Sequence, residues 1–334
     1  MVLSHYKVNI EVPRQKRQTE LRSSILLTDY LGMTLALAGL VVAFGLATDH
    51  FLTPTTFKMI ANQIPDAVII AVGMTFVLVV AGIDLSVGSV LALSSAVLGV
   101  CLVRFDLPLA VAMLACLGVG AACGLTNGVV SARFRIPSFI VTLGMMEMAR
   151  GGAYLVTDSQ TQYIGGRIEA VAEASLLGLS LPFMLAVLIV VAGQFVLTRT
   201  VFGRRMIAVG ANEDAARLSG VDPVRIKLVV FVLSGLLVAV AAVMHTARLA
   251  SADPNAGTGF ELQAIAAVVI GGTSLMGGRG SVINSFFGVL IIAVLGTGLA
   301  QIGAQEPTKR LVTGGVIVAA VILDHYRHQL RRQS

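Results

Sequence analysis

The chain has 334 residues, of which 56% are hydrophobic and 13% charged, with a mean hydropathy of +0.88. That is more apolar surface than one water-soluble core buries, so a soluble globular class is excluded and a polytopic helical membrane protein is expected. The net charge of +6 and pI near 9.5 come from basic residues spread over short loops without interleaved aromatics, which argues against nucleic acid and for membrane orientation.

Apolar windows of about 20 residues place spans near 30–47, 64–82, 85–103, 107–130, 138–157, 181–198, 226–247, 261–276, 281–300 and 308–324. The expected fold is all-α, with about ten transmembrane helices in a single domain over 30–324, an N-terminal segment at 1–29 and a tail at 325–334. This parity puts 1–29, 131–137, 199–225, 277–280 and 325–334 on one side with 17 Lys and Arg, Lys227 being counted with the loop it borders, against six on the other. The positive-inside rule then makes both termini cytoplasmic. The first run follows Lys16, Arg17 and Arg22 and approaches spanning length, so it reads as a retained start-transfer helix rather than a cleaved signal.

Residues 67–103 are almost continuously apolar except for AGIDLSVGS at their centre. Two crossings leave little room, so the turn from Gly82 to Ser89 lies at the membrane edge or dips inside, where protein or a wet cavity must receive its backbone. Asp84 has two open roles: part of a translocation route or gate, or a cap on the following helix beside Ser86, with Gly82 and Gly88 permitting the tight turn. A loose internal match lays 79–90 against 268–282, making Gly271, Gly272, Gly277 and Gly278 a second candidate break on the pathway.

Gly and Ala in LGVGAACGLTNG at 117–128 suit close helix approach, with Asn127 able to bond across helices. Cys101, Cys116 and Cys123 have no metal or disulfide-framework spacing and read as packing residues. Glu147 and Arg150, three apart on one helix face, are expected to form an intramembrane ion pair that serves packing or touches substrate.

Between Arg199 and Lys227 lies a polar island. Gly203, Arg204 and Arg205 anchor its start. ANEDAARLSG then reads as a short helix capped by Asn212, with Glu213 and Asp214 in its first turn, a thin surface at Ala215 and Ala216, and a stop at Gly220. From the residues alone it is either a partner-docking helix or a helix lying on headgroups. On the opposite side, 157–180 with Glu169 and Glu173 and 247–262 with Pro254 are the largest polar surfaces.

Catalytic residues are not found. GTSLMGGR at 272–279 lacks the lysine and hydroxyl of a phosphate loop, LSGV at 218–221 completes no ABC signature, and no zinc helix motif or nucleophile elbow occurs. His5, His50, His245, His325 and His328 are scattered at ends or loops. The chain therefore carries no ATPase or metal site of its own. A secondary transporter without an ATPase is the rival reading, because it too would show ten spans and broken helices.

The strings AVGMTFVLVVAGIDLSVGSVLAL, GRRMIAVGANEDAARLSGV and ARLASADPNAGTGFELQAIAAVVIGGTSLMGGRGSV resemble the permease subunits of bacterial ABC importers for simple sugars, the ribose type among them. The resemblance covers about 30–324. It implies a subunit of the bacterial inner membrane that pairs with a second permease copy, receives sugar from a periplasmic binding protein and is driven by a cytoplasmic ATPase that uses the ATP. It also implies that GANEDAARLSG is the coupling helix, with Gly203, Gly210, Asn212, Glu213, Ala215, Ala216 and Gly220 as coupling residues. Gln263 departs from the Asp of the family string, and Gly296, Thr297, Gly298 and Ala300 replace an asparagine-rich end. These departures detach ribose itself from the expectation and leave the transport class intact.

Overall fold

The computed structural model describes residues 32–173, 175–176 and 179–333; the expected N-terminal segment 1–29 lies outside them. The helices, in chain order, are α1 (Gly32–Ala47), α2 (Pro54–Gln63), α3 (Pro65–Val79), α4 (Val87–Val103), α5 (Leu109–Phe134), α6 (Ser138–Thr157) and α7 (Gly166–Glu173). They continue as α8 (Leu181–Arg199), α9 (Val201–Ala211), α10 (Glu213–Leu218), α11 (Pro223–Leu249), α12 (Phe260–Ile270), α13 (Val282–Gln301) and α14 (Glu306–Gln333).

The fold is predominantly rather than wholly α-helical. β1 (Gln162–Tyr163) pairs antiparallel with β4 (Ser251–Ala252), and β2 (Ser175–Leu176) with β3 (Leu179–Ser180). Both ribbons join connecting segments, where helix periodicity gives no signal.

Among the described residues, α5, α8, α11 and α13 are long and apolar enough to cross a membrane, and the α2–α3 pair, bent by 49°, meets the same measure when taken together as one broken span. The other expected spans fall on shorter apolar helices (α1, α4 and α12) or on helices with charges within their length (α6 and α14). The window at 261–276 is corrected most: α12 stops at Ile270, and residues 271–281 are not helical. Hydropathy averages across such a break because its glycines and small residues are not strongly polar. The window at 64–82 missed α2, which Thr53 caps by accepting the Thr56 amide at 3.3 Å.

The core is built around α3, in which every residue except Ala67 is buried. Against it lies α11, whose other face meets α5 through a row of glycines. A methyl at Gly120 would stand 2.3 Å from the Gly235 carbonyl oxygen, and one at Gly124 would stand 2.3 Å from that of Phe231. Association in lipid depends on such close packing because apolar side chains gain little by leaving an apolar solvent. The glycine string therefore sets the α5–α11 separation.

Candidate functional site

Both helix breaks open with the same backbone device. At the end of α3 the Gly82 amide donates to the Val77 carbonyl at 2.8 Å and the Ala81 amide to that of Leu78 at 2.9 Å. At the end of α12 the Thr273 amide donates to Val268 at 3.1 Å and the Gly272 amide to Val269 at 2.8 Å. Each is a Schellman closure, with a left-handed residue following the cap. In the first break that residue is Ala81 (φ 58°), so Gly82 does not supply the left-handed turn; in the second it is Gly272 (φ 78°). Aligned by this motif, Ala81 matches Gly272, two positions away from the sequence match.

A neighbouring helix braces each break. The Ile83 amide donates to Ser138 Oγ at 2.8 Å and the Leu85 amide to Thr142 Oγ1 at 3.1 Å, both on α6. Gln194 Oε1 on α8 accepts from the amides of Val282 at 2.8 Å and Ile283 at 3.3 Å, covering the start of α13. These side chains satisfy amides that helix geometry leaves open. Sequence reading missed Ser138, Thr142 and Gln194, since single polar residues in apolar runs carry no positional signal.

Asp84 is buried with Ser86, Asn127 and Ser234. Its Oδ1 accepts from the Ser86 amide at 2.9 Å and hydroxyl at 2.6 Å, and the Asn127 amide group donates to Ser86 Oγ at 3.0 Å. Gly88 sits a turn further on, where an added methyl would stand 2.2 Å from the Gly257 carbonyl oxygen. Its lack of a side chain thus admits the 253–259 segment rather than shaping the turn.

The expected Glu147–Arg150 pair does not form. Arg150 Nη1 instead donates to the carbonyls of Pro254 at 2.6 Å and Ala256 at 2.9 Å, while Glu147 is exposed and has no ion-pair partner among the described residues. Spacing put the two residues on one helix, but the loop carbonyls present a fixed pair of acceptors that an exposed carboxylate does not match. Part of the 247–262 segment is accordingly interior: Ala252, Pro254 and Gly257 are buried.

The polar island is two helices rather than one. Thr200 caps α9 by accepting the Gly203 amide at 3.1 Å, and the buried face of α9 carries Gly203, Met206, Val209 and Gly210. Asn212 Oδ1 accepts the Ala215 amide at 2.9 Å to start α10, Gly220 (φ 82°) follows its end, and Asp222 caps α11. Glu213 pairs with Lys227 and Arg217. Ala215 is exposed but Ala216 is buried, which corrects the expected thin alanine surface. Leu218, 91% exposed, is the apolar group that projects.

Island and breaks meet at one joint. The Gly278 amide donates to the Val79 carbonyl at 2.9 Å. A methyl on Gly210 would stand 1.8 Å from that same oxygen and 2.7 Å from the Gly278 nitrogen. One on Gly277 (φ 83°) would stand 2.7 Å from both Ala81 Cβ and the Gly210 carbonyl oxygen. Three backbone segments thus meet with nothing larger than the Ala81 and Ala211 methyl groups among them. Gly271 is also packed against backbone, where an added methyl would stand 2.7 Å from the Asn284 carbonyl, whereas Gly272 is exposed.

Comparison with known proteins adds identity to this geometry. Residues 56–321 match the family model described as branched-chain amino acid transport system / permease component. The ribose import permease protein of Escherichia coli K12 is 39% identical over 87% of this chain and 92% of its own length. The corresponding figures are 40%, 88% and 92% for the ribose import permease protein of Bacillus subtilis, and 35%, 93% and 88% for the fructose import permease protein of Rhizobium meliloti. No solved structure matches the chain. With most of its length inside the family model and in register with permeases over nearly their whole length, the chain belongs to the family of transport-system permease components, as a multi-pass subunit of the cell membrane and not an enzyme.

Proposed function

We propose that this chain is the membrane-crossing subunit of an ATP-driven importer for a neutral pentose or hexose. The observation that carries the mechanism is the joint of Gly210, Val79 and Gly278, because α10 begins two residues beyond a segment in contact with both helix breaks. The sugar class is supported by relatives named for ribose, fructose, D-allose and L-arabinose.

In this reading 30–324 is one permease domain with about ten crossings and both termini cytoplasmic, and 199–225 is its coupling loop. A cytoplasmic ATPase subunit docks on α10, binds and hydrolyses the ATP, and pushes α9 through Asn212, Glu213, Ala215 and Gly220. A sugar-binding protein delivers substrate at the other face, and a second permease copy completes the pathway. Motion of α9 shifts Gly210 against the two breaks, so that the segments with Gly82, Asp84, Ser86 and Gly88 and with Gly271, Gly272, Gly277 and Gly278 open to one side at a time.

The test is uptake of labelled ribose, fructose, allose, arabinose and leucine by cells expressing the chain with its neighbouring ATPase and binding protein. ATPase-dependent uptake of a sugar is expected. Leucine uptake without sugar uptake would overturn the substrate class, and sugar uptake that survives loss of the ATPase would favour a secondary transporter.

A further inference from the structure

Charged residues bracket α6 at both ends. Arg133 and Arg135 precede it, and just beyond it Asp158 pairs with Arg104 at 2.8 Å. The helix packs on α4 and α5, with Thr142, Met145, Ala149 and Ala153 buried on its inner face. Glu147 is the tenth of its 20 residues, about 14 Å from either end. In a hydrocarbon layer about 30 Å thick that is mid-membrane depth.

The Glu147 side chain points away from the bundle. It is exposed and meets no partner among the described residues. Gly144 and Gly151 lie a turn to either side on the same face, and a methyl added to either would meet nothing within 4 Å. The carboxylate is thus left uncovered. Further along this face the Tyr154 hydroxyl donates to Oδ1 of the exposed Asn255 at 2.6 Å, so a polar line runs from mid-helix to the 253–259 segment.

The outward faces of α5 and α8 are of another kind. They present Leu114 and Leu125, and Leu188, Val191 and Phe195, with no charge before the last turn of either helix. Those are surfaces for lipid. A charged side chain at the centre of the hydrocarbon layer is costly, and such groups face a bundle interior or a water-filled cavity. Glu147 faces no interior of this chain. A second copy pressed directly on the face about a two-fold axis would set Glu147 against its own counterpart, and each carboxylate disfavours the charge on the other. Water is the neighbour that remains.

We propose that the face of α6 with Gly144, Glu147, Gly151 and Tyr154 is a wall of the aqueous solute route, and that Glu147 sets the charge selectivity of that route. Neutral polyols pass, whereas sugar acids and sugar phosphates are repelled. The proposal rests on the import reading above and adds to it a wall on the outside of this chain, away from the buried Asp84. Glu147 acts through its field rather than by gripping the solute, so its loss alters selectivity and not the uptake of a neutral sugar.

The experiment uses the complete importer in proteoliposomes, with Cys101→Ala, Cys116→Ala and Cys123→Ala as background, and assays sugar uptake in the same preparation. Gly144→Cys, Gly151→Cys and, on the lipid face of α8, Val191→Cys are each treated on both sides of the membrane with methanethiosulfonates carrying a trimethylammonium or a sulfonate group. Both α6 positions should react with the cationic reagent at least tenfold faster than position 191. Adding Glu147→Gln to Gly151→Cys should lower the ratio of cationic to anionic rates by about threefold or more, because a unit charge about 6 Å away in salt water moves the two reagents in opposite directions. Sugar uptake with α6 positions no more reactive than position 191, whether lipid or a second copy shields them, overturns the proposal and leaves the import reading standing. A rate ratio unchanged by Glu147→Gln overturns the selectivity role. Fast, charge-sensitive labelling without uptake of any sugar supports the aqueous wall and defeats the sugar-import reading alone.

Discussion

The amide of Gly278 donates to the carbonyl of Val79 at 2.9 Å, joining the second helix break to the last residue of the helix before the first. Gly210 lies over that bond with no room for a methyl group. Gly210→Ala is therefore expected to force the three segments apart, destabilising by about 1–3 kcal/mol as overpacked sites do, and to reduce uptake at least tenfold at matched membrane level. Gly296→Ala, where an added methyl meets nothing within 4 Å, is the control and should transport normally.

Leu218 is expected to anchor the ATPase. Leu218→Ala should lower retention of the ATPase on the purified permease by about tenfold, the scale of an interface side chain worth near 1.4 kcal/mol, while membrane insertion stays normal. Ala216→Leu should act differently: Ala216 is buried, so the larger side chain disturbs the fold of the loop and lowers the thermal midpoint. Equal ATPase retention by wild type and Leu218→Ala would remove Leu218 from the interface.

For Asp84 the substitutions separate its two roles. Asp84→Asn keeps an oxygen to accept from the Ser86 amide and hydroxyl, so thermal stability should change little. Asp84→Ala strips that acceptor from a buried donor pair and should cost about 1–3 kcal/mol. Uptake by Asp84→Asn is expected to fall at least tenfold; wild-type uptake would leave capping as the whole role of the residue.

Arg150 and Glu147 should behave independently. Arg150→Met removes the donor to the Pro254 and Ala256 carbonyls and should destabilise by about 1–3 kcal/mol, whereas Glu147→Gln should be neutral in thermal melts and uptake. A double-mutant cycle with a coupling energy above about 0.5 kcal/mol would restore the ion pair.

Gln194→Leu is nearly isosteric and tests the brace on the second break. Losing the acceptor for the Val282 and Ile283 amides should lower the thermal midpoint and speed hydrogen exchange at the start of α13 more than elsewhere. Uniform exchange along α13 would show that the amides find another partner.

Local features were legible in the sequence because their physics is local. Asn212 as a cap and Gly220 just beyond the end of α10 depend on residues within a turn or two of each other, and the glycine string at 117–128 marked a helix open to close approach without saying which helix approaches it. The paired breaks were also visible, although two positions out of register, since the Schellman closure is set by backbone bonds and tolerates Ala81 in place of glycine. What escaped depended on distant partners. Asp66 and His245 meet from positions 179 residues apart, and each alone looks like a stray polar residue at a span end. Glu147 and Arg150 misled for the converse reason: correct spacing on a helix says nothing of a loop that offers Arg150 better acceptors.

Buried on nearly every side, α3 has its first turn bonded to Arg248 and its last residue bonded to Gly278. A helix gripped along its whole length moves as a stiff body, at 1.5 Å per residue over 15 residues. Whatever stroke is applied at the Val79 end thus arrives undiminished and unamplified at the Asp66 end. On the proposed import reading α3 is thus a single rigid strut, and the amplitude of motion at one of its ends is fixed by the displacement imposed at the other.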